Sequence, residues 1–185
     1  MSYEVELKFK LDDDRRILEK LNHLTADRGS PIEQRDRYFN HPSRDFAHTD
    51  EALRIRSANG RCWVTYKGPL LDEHTKTRRE IEVPLGDQQS NGDRFAQLLE
   101  QLGFREVRTV VKRRTPFRLV WEDRQLELAF DQVEGLGKFL EIETITDEPD
   151  REAAQDSILR LADRLDLHNS LRTSYLTLLL EQDAG

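Results

Sequence analysis

The sequence predicts an α+β fold that is rich in strands. From residue 4 to residue 145, segments recur in which charged and apolar residues alternate, a pattern typical of strands with one charged and one apolar face. Other segments space their apolar residues at helical intervals, and no Pro-, Gly- or Ser-rich linker divides the chain. We therefore expect one domain covering residues 1–185.

The first predicted strand carries its charges on one side. Residues 4–10 alternate so that Glu4, Glu6 and Lys8 share a face, while the apolar residues between them share the other. For this strand alone two interpretations are open. It is either an ordinary surface strand or part of a site for metal-assisted phosphate chemistry.

The remaining elements follow from capping residues and periodicity. Acidic residues at 12–14 and apolar residues at helical spacing predict a helix over residues 13–25. Later helices are predicted to end at Gly103, to begin after Pro149 and to begin at Tyr175, and a polar loop is expected over 69–77. The further predicted strands are 34–39, 52–58, 61–68, 78–84, 109–114, 117–121, 124–131 and 138–145.

Nearly every predicted strand separates charged from apolar residues as the first one does. If helices pack on the apolar faces, the charged faces either line the inside of a closed barrel or form the solvated side of an open sheet. Periodicity leaves both arrangements open. The charged faces carry Arg54 and Arg56, Lys67, Glu80 and Glu82, Lys112 and Arg114, Glu127 and Asp131, and Glu141 and Glu143.

These residue types suit phosphate and a hard metal ion. Arginine makes bidentate, charge-assisted contacts with phosphate, and carboxylates are the oxygen ligands that Mg²⁺ prefers. Gly135 and Gly137 are not followed by the Lys-Ser/Thr of a phosphate-binding loop, so side chains must hold any phosphate. The scattered histidines and the single Cys62 do not have the spacing of a zinc site.

Composition excludes several classes of partner. The net charge of −7 argues against a general nucleic-acid or membrane-surface binder, which would carry a basic field. A single cysteine forms no intrachain disulfide, and no apolar signal or membrane-spanning stretch is apparent. We expect a cytoplasmic protein.

Seven motifs follow one another along the chain. They are Glu4-x-Glu6-x-Lys8, Gln34-x-Asp36-x-Tyr38-Phe39, Leu53-Arg54-Ile55-Arg56, Thr65-x-Lys67-Gly68, Arg79-Glu80-x-Glu82, Lys112-x-Arg114 and Asp131-x-Val133-x-Gly135-Leu136-Gly137-x-Phe139-x-Glu141-x-Glu143. With these motifs in this order, the sequence resembles the CYTH domain, whose members are the triphosphate tunnel metalloenzymes, and more narrowly the class IV adenylyl-cyclase-like branch. The similarity runs from residue 3 to about residue 178.

The resemblance implies an eight-stranded antiparallel β-barrel that encloses a charged tunnel, with helices outside. It also implies Mg²⁺ or Mn²⁺ as cofactor, and relatives in the branch suggest a homodimer. Lys8 and Asp131 are the predicted catalytic residues, with Asp131 orienting metal or substrate. The implied metal ligands are Glu4, Glu6, Glu141 and Glu143, and the implied substrate-binding residues are Lys8, Arg54, Arg56, Lys67, Lys112, Arg114, Glu80 and Glu82.

Several residues are assigned elsewhere. Tyr175 is expected to anchor the last helix by packing, with a role near the tunnel mouth as an open alternative. Trp63 is expected in the core or at the rim, with stacking on a base as an open alternative. The arginines of opposite parity are expected to face outward or to pair with helices: Arg35, Arg37, Arg79 and Arg113.

The expected substrate is ATP or another triphosphate, and three functions are weighed. The first is an adenylyl cyclase that converts ATP to cyclic AMP and pyrophosphate, and the second is a triphosphatase acting on tripolyphosphate, thiamine triphosphate or a nucleotide. The third is a non-catalytic polyphosphate or nucleotide binder. The carboxylates argue against the third, because without a bridging metal they would repel phosphate.

Overall fold

The computed structural model describes residues 2–24, 26–71 and 77–185. Within these ranges the chain forms nine strands, five α-helices and one 3₁₀ turn, Glu148–Asp150. The strands are β1 (Ser2–Leu11), β2 (Asp27–Arg28), β3 (Ile32–Asn40), β4 (Ala52–Ala58), β5 (Arg61–Lys67), β6 (Arg78–Gly86), β7 (Arg105–Trp121), β8 (Arg124–Val133) and β9 (Gly137–Asp147). The helices are α1 (Asp14–His23), α2 (Phe46–Thr49), α3 (Gln89–Gln101), α4 (Arg151–Arg164) and α5 (Tyr175–Ala184).

Eight of these strands close into an antiparallel barrel. The order around the barrel is β7-β3-β4-β5-β6-β1-β9-β8, and β8 pairs back onto β7. The short β2 adds to β7 outside this ring. The closure confirms the expected barrel and excludes the open sheet. The shortest strand pairing in the barrel joins β1 to β6, where Tyr3 pairs with Arg79 and Glu4 with Arg78.

The largest apolar core lies outside the barrel, between its wall and two helices. In α1, Asp13 caps the helix by accepting a hydrogen bond from the Arg15 backbone N–H, and the buried side of the helix carries Ile17 and Leu21. In α4 the buried side includes Ile158. These helices cover the apolar faces of β1, β7, β8 and β9. Each fully buried aliphatic side chain contributes about 1.5–3 kcal/mol, so the wall is held from outside and its charged face is turned inward.

Two further helices pack against other strands of the barrel. Helix α3 packs against Phe39 and Ile55 on β3 and β4 through Ala96 and Leu99. Helix α5 packs through Tyr175 and Leu179 on Val110, Val133 and Phe139. The last three residues share strand faces with Lys112, Asp131 and Glu141, so α5 covers part of the charged side of the barrel.

The prediction of two separate strands around Pro116 is wrong. Segments 109–114 and 117–121 belong to one continuous strand, β7, in which Pro116 pairs with Ala129 of β8. The Pro116 carbonyl accepts from the Gly29 N–H at 2.8 Å. The N–H and C=O groups of one residue point to the same side of a strand. The side on which Pro116 lacks an N–H therefore faces the gap between β2 and β3, where no ladder hydrogen bond is needed.

Other elements differ in their bounds. The helix predicted over 13–25 spans 14–23 as α1, and residue 25 lies outside the described residues. The short elements β2 and α2 have too few residues to show a period. Residues 72–76 of the predicted 69–77 loop are also outside the described residues. In the described part of the chain, the helices are all too short or too polar to cross a bilayer.

Candidate active site

A cavity of about 820 Å³ occupies the inside of the barrel, and we call it the tunnel. Its wall is built from alternate residues of the barrel strands, which is why strand parity in the sequence predicts its lining. Asp131 lies deeper, in the wall itself, and is fully buried. The other predicted site residues all line the tunnel: Glu4, Glu6, Lys8, Arg54, Arg56, Lys67, Glu80, Glu82, Lys112, Arg114, Glu141 and Glu143.

Three of the four predicted metal ligands come together. Oxygen atoms of Glu4, Glu6 and Glu143 lie within 4.8 Å of one another, and we call these residues the carboxylate cluster. The register of β1 against β9 produces it, since Glu6 pairs directly with Glu143. Burial, followed by the charge of Glu4, raises the pKa of Glu143 to about 8. Carboxylates held this close favour either a bound proton or a cation.

The fourth predicted ligand, Glu141, has a different partner. It accepts a hydrogen bond from the Arg114 guanidinium and pairs across the strands with Lys8. The structure therefore places Glu141 beside the tunnel cations, two residues along β9 from the carboxylate cluster.

Asp131 gathers several donors, and we call them together the Asp131 network. Lys112 donates to Asp131 at 2.8 Å, Arg114 donates twice at 2.8 and 2.7 Å, and the Tyr175 hydroxyl donates at 3.1 Å. Burial, followed by the charge of Arg114, lowers the pKa of Lys112. Burial also raises the pKa of Tyr175, and Glu141 and Asp131 add to that effect. The network fixes two cations in the tunnel wall.

A second acidic centre, Asp36, holds the arginines of β4. Arg56 donates to both Asp36 oxygens at 2.7 Å, and Arg54 lies 3.6 Å from one of them. Burial alone would raise the pKa of Asp36, but the charge and hydrogen bonds of Arg56, with help from Arg54 and Lys112, hold it far below its usual range. Both arginines are thereby oriented into the tunnel.

Lys67 joins the carboxylate cluster to β6. Its ammonium lies 2.8 Å from a Glu4 oxygen and 2.8 Å from a Glu80 oxygen. Burial opposes the charged form, but the charges of Glu4 and Glu80 together outweigh it and raise the pKa of Lys67. Burial likewise opposes ionisation of Glu80, yet the hydrogen bond with Glu4 and the charges of Lys67 and Arg54 lower its pKa to about 2.

Lys8 contacts the segment that immediately precedes α5. It is almost fully buried, donates to the Thr173 carbonyl and lies 4.4 Å from the centre of the Tyr175 ring. The Leu171 N–H donates to the Lys8 carbonyl at 2.7 Å, so this segment is also bonded to β1. The charged head therefore stays within the tunnel wall.

Glu82 differs from the other predicted site residues because it is exposed, and it accepts from Thr65 at 3.0 Å. The arginines of opposite parity lie outside the tunnel, as expected. Among them, Arg37 binds Glu106 at 2.7 Å and Asp93 of α3 at 3.2 Å.

Sequence reasoning gives no role to Asp36, and for Tyr175 it favours packing over a role near the tunnel mouth. Asp36 was recognisable, because it shares strand parity with Gln34 and Tyr38 and alternates with outward arginines. Tyr175 does pack against Phe139, with ring centres 5.0 Å apart. Its bond to Asp131 carried no signal in the sequence, because it joins residues 44 positions apart.

Known proteins resemble this chain in sequence. The model of the CYTH domain matches residues 2–175. A Methanocaldococcus jannaschii protein with a provisional adenylate cyclase name is 39% identical over 178 residues, covering 95% of this chain and 97% of that protein. The adenylate cyclase CyaB of Aeromonas hydrophila is 30% identical over 168 residues, covering 86% of this chain and 80% of that protein.

Solved structures give the same architecture. A Pyrococcus horikoshii protein is similar with a TM-score of 0.85 and 41% identity, covering 97% of this chain and 99% of that one. A Hippeastrum protein with a provisional adenylyl cyclase name, described as having dominant triphosphatase activity, shares the fold at a TM-score of 0.65 and 18% identity, covering 98% of this chain and 96% of that one.

Proposed function

Because the chain belongs to the CYTH family, we propose that it is a metal-dependent enzyme that converts ATP to cyclic AMP and pyrophosphate. Two relatives that carry adenylate cyclase names, at 39% and 30% identity, support this reaction. The observation that carries the proposal is the carboxylate cluster beside a wall of cations. Cations alone would be enough to bind a triphosphate, whereas carboxylates beside them would repel it unless a metal ion lay between.

The donor set fits a divalent cation. Carboxylate oxygens are the ligands that Mg²⁺ and Mn²⁺ prefer, and three of them lie within 4.8 Å in the carboxylate cluster. Burial, followed by the charge of Glu4, raises the pKa of Glu143 to about 8, so an added positive charge would stabilise its ionised form. We assign Glu4, Glu6 and Glu143 as the residues that hold the ion, and Glu141 as a more distant carboxylate. When bound, such an ion supplies a Lewis acid that activates the attacking hydroxyl and offsets phosphate charge.

The tunnel cations would bind the triphosphate. Arg54 and Arg56 present planar guanidinium groups oriented by Asp36, and Lys112 and Arg114 are oriented by Asp131. Cations held in place before substrate arrives stabilise developing charge without reorganisation, and one such donor typically contributes about 2.7–4 kcal/mol to the transition state.

The two predicted catalytic residues receive different roles. Lys8 touches the tunnel and is assigned to the substrate phosphates, next to Glu141. Asp131 is fully buried and occupied by donors from three side chains. We assign Asp131 as a positioning residue, which acts on substrate through the cations that it orients.

Triphosphate hydrolysis is the second candidate. The Hippeastrum protein shares the fold and is described as having dominant triphosphatase activity. Both reactions use the same cations and carboxylates, and they differ in the nucleophile: a ribose hydroxyl attacks the α-phosphorus in cyclisation, whereas water attacks the terminal phosphorus in hydrolysis.

Product analysis distinguishes the two. The protein is incubated with Mg²⁺ or Mn²⁺ and, separately, with ATP and tripolyphosphate. Cyclic AMP with pyrophosphate in equal amounts supports the cyclase. Orthophosphate without cyclic AMP contradicts it and supports the triphosphatase.

A substitution tests the metal site. Glu6→Gln, which keeps the side-chain shape but removes the charge, is expected to lose at least about 100-fold in rate. Glu127→Gln is the matched control. Glu127 lies on β8 and pairs with Glu143 of β9, but it is outside the carboxylate cluster. A Glu6→Gln protein with full turnover would contradict the metal assignment.

A further inference from the structure

A second cavity, of about 520 Å³, lies where β3 begins and the β4–β5 hairpin turns. Arg56 and Glu82 line both this cavity and the tunnel, so the two spaces share a wall. We call it the hairpin cavity. Its lining is Ile32, Gln34, Arg56, Ala58, Asn59, Arg61, Trp63 and Glu82.

The hairpin cavity contains an unused acceptor. Gln34 is only 9% exposed, and its Oε1 atom has no hydrogen-bond partner among the residues that the structure describes. A buried polar atom without a partner costs about 1–3 kcal/mol. Gln34 is held in this position because it pairs with Lys112 on β7 and with Ala58 on β4. The side chain is therefore suited to accept a hydrogen bond from a ligand.

An aromatic side chain stands next to the phosphate-binding cations. Trp63 is half-buried and pairs with Arg56 across β4 and β5. Directly paired residues have their Cβ atoms about 4.5–5.5 Å apart on the same face of the sheet. A planar group on the Trp63 ring would thus be a near neighbour of phosphate held by Arg56. The hydrogen bonds of Arg56 to Asp36 fix the guanidinium on the tunnel side.

We propose that the hairpin cavity binds the heteroaromatic ring of an organic triphosphate, with the ring on Trp63 and an exocyclic amino group donating to Gln34 Oε1. The inference rests on the proposed function, since it requires phosphates held by Arg56 and its neighbours. The required chemistry is an amino-substituted ring, as in adenine or in an aminopyrimidine. A ring with a carbonyl in place of the amino group would put two acceptors together and bind more weakly.

The test measures binding by isothermal titration calorimetry, with Ca²⁺ replacing Mg²⁺ to limit turnover. The ligands are ATP, ITP, thiamine triphosphate and tripolyphosphate. Trp63→Ala is expected to weaken ATP binding by about 5–150-fold, because stacking of one base on an aromatic side chain contributes about 1–3 kcal/mol. Gln34→Leu is expected to abolish the preference for ATP over ITP. Tripolyphosphate has no ring, so its affinity is expected to stay within about 2-fold in both variants, which also shows that they are folded.

The control variant lies outside the lining of the hairpin cavity. Leu180 of α5 lines the tunnel and is 38% exposed, and Leu180→Ala is expected to leave ATP affinity unchanged. A selective loss of ATP binding in Leu180→Ala would place the ring at α5 and overturn the proposal. Equal losses of ATP and tripolyphosphate in Trp63→Ala, or no loss of either, would also overturn it while leaving the proposed function intact. A wild-type protein that binds no triphosphate would contradict both. The ATP and thiamine triphosphate arms show which amino-substituted ring is preferred.

Discussion

The carboxylate cluster and the Asp131 network each place acidic side chains inside one barrel, yet they are in opposite electrostatic states. Asp131 is fully buried and satisfied by donors from Lys112, Arg114 and Tyr175. In the carboxylate cluster, acids face one another, and burial raises the pKa of Glu143 to about 8. The first arrangement is complete without a ligand. The second is stabilised by an added cation. The difference separates the part of the site that positions cations from the part that binds a metal ion.

The largest expected effect comes from breaking the Asp131 network. Asp131→Asn removes the charge that balances two buried cations, and removing one partner of a buried ion pair typically costs about 3–5 kcal/mol. We expect the free energy of unfolding in urea to fall by that amount.

The matched control is Glu122→Gln, which removes the carboxylate that Arg160 binds on the surface. Side chains in this pair are 55% and 41% exposed, so the expected loss is at most about 1 kcal/mol. If Asp131→Asn lost no more than this control, Asp131 would not be the positioning residue that we propose.

The second prediction concerns the two glutamates of β9. Glu143→Gln is expected to weaken Mn²⁺ binding by at least about 10–100-fold, because it removes a proposed ligand. Glu141→Gln is expected to weaken it less, because Glu141 binds Arg114 and lies outside the carboxylate cluster. Isothermal titration of Mn²⁺ into the protein without substrate measures both. The reverse order of effects would place the ion nearer Glu141.

The sequence was sufficient to predict the faces of the strands but not their register. Alternation alone placed Lys8 and Arg114 on charged faces, because side chains in a strand must alternate. Glu141 and Glu143 share one face, so alternation cannot tell them apart. The pairing of Glu6 with Glu143 does so, and that register depends on how all eight strands close.

Continuity of a strand was also beyond local reasoning. Pro116 ordinarily interrupts a strand, and the pattern around it was read as two segments. The strand continues because the missing donor faces the gap beside Gly29, which depends on where β2 and β3 lie. The continuity of β7 therefore depends on residues distant in sequence, as does the hydrogen bond from Tyr175 to Asp131.

A third effect separates Asp36 from the carboxylate cluster by its dependence on pH. Arg56 and Arg54 hold the pKa of Asp36 far below its usual range despite burial. Its ionised form is therefore favoured in the folded protein. That contribution to stability is fully present above the unfolded pKa of about 3.9 and is lost as the pH falls through the lower folded value. Asp36→Asn is expected to cost about 1.5–3 kcal/mol at pH 7, with the difference from wild type shrinking as the pH falls below about 4.

Urea unfolding of both proteins at pH 7, 4 and 3 measures this change. Asp93→Asn is the control, since Asp93 is 65% exposed in its pair with Arg37 and should differ from wild type by at most about 1 kcal/mol. A loss in Asp36→Asn that stayed constant down to pH 3 would mean that the aspartate acts through packing and not through its charge. In that case the orientation of Arg54 and Arg56 toward the tunnel would have to come from their strand alone.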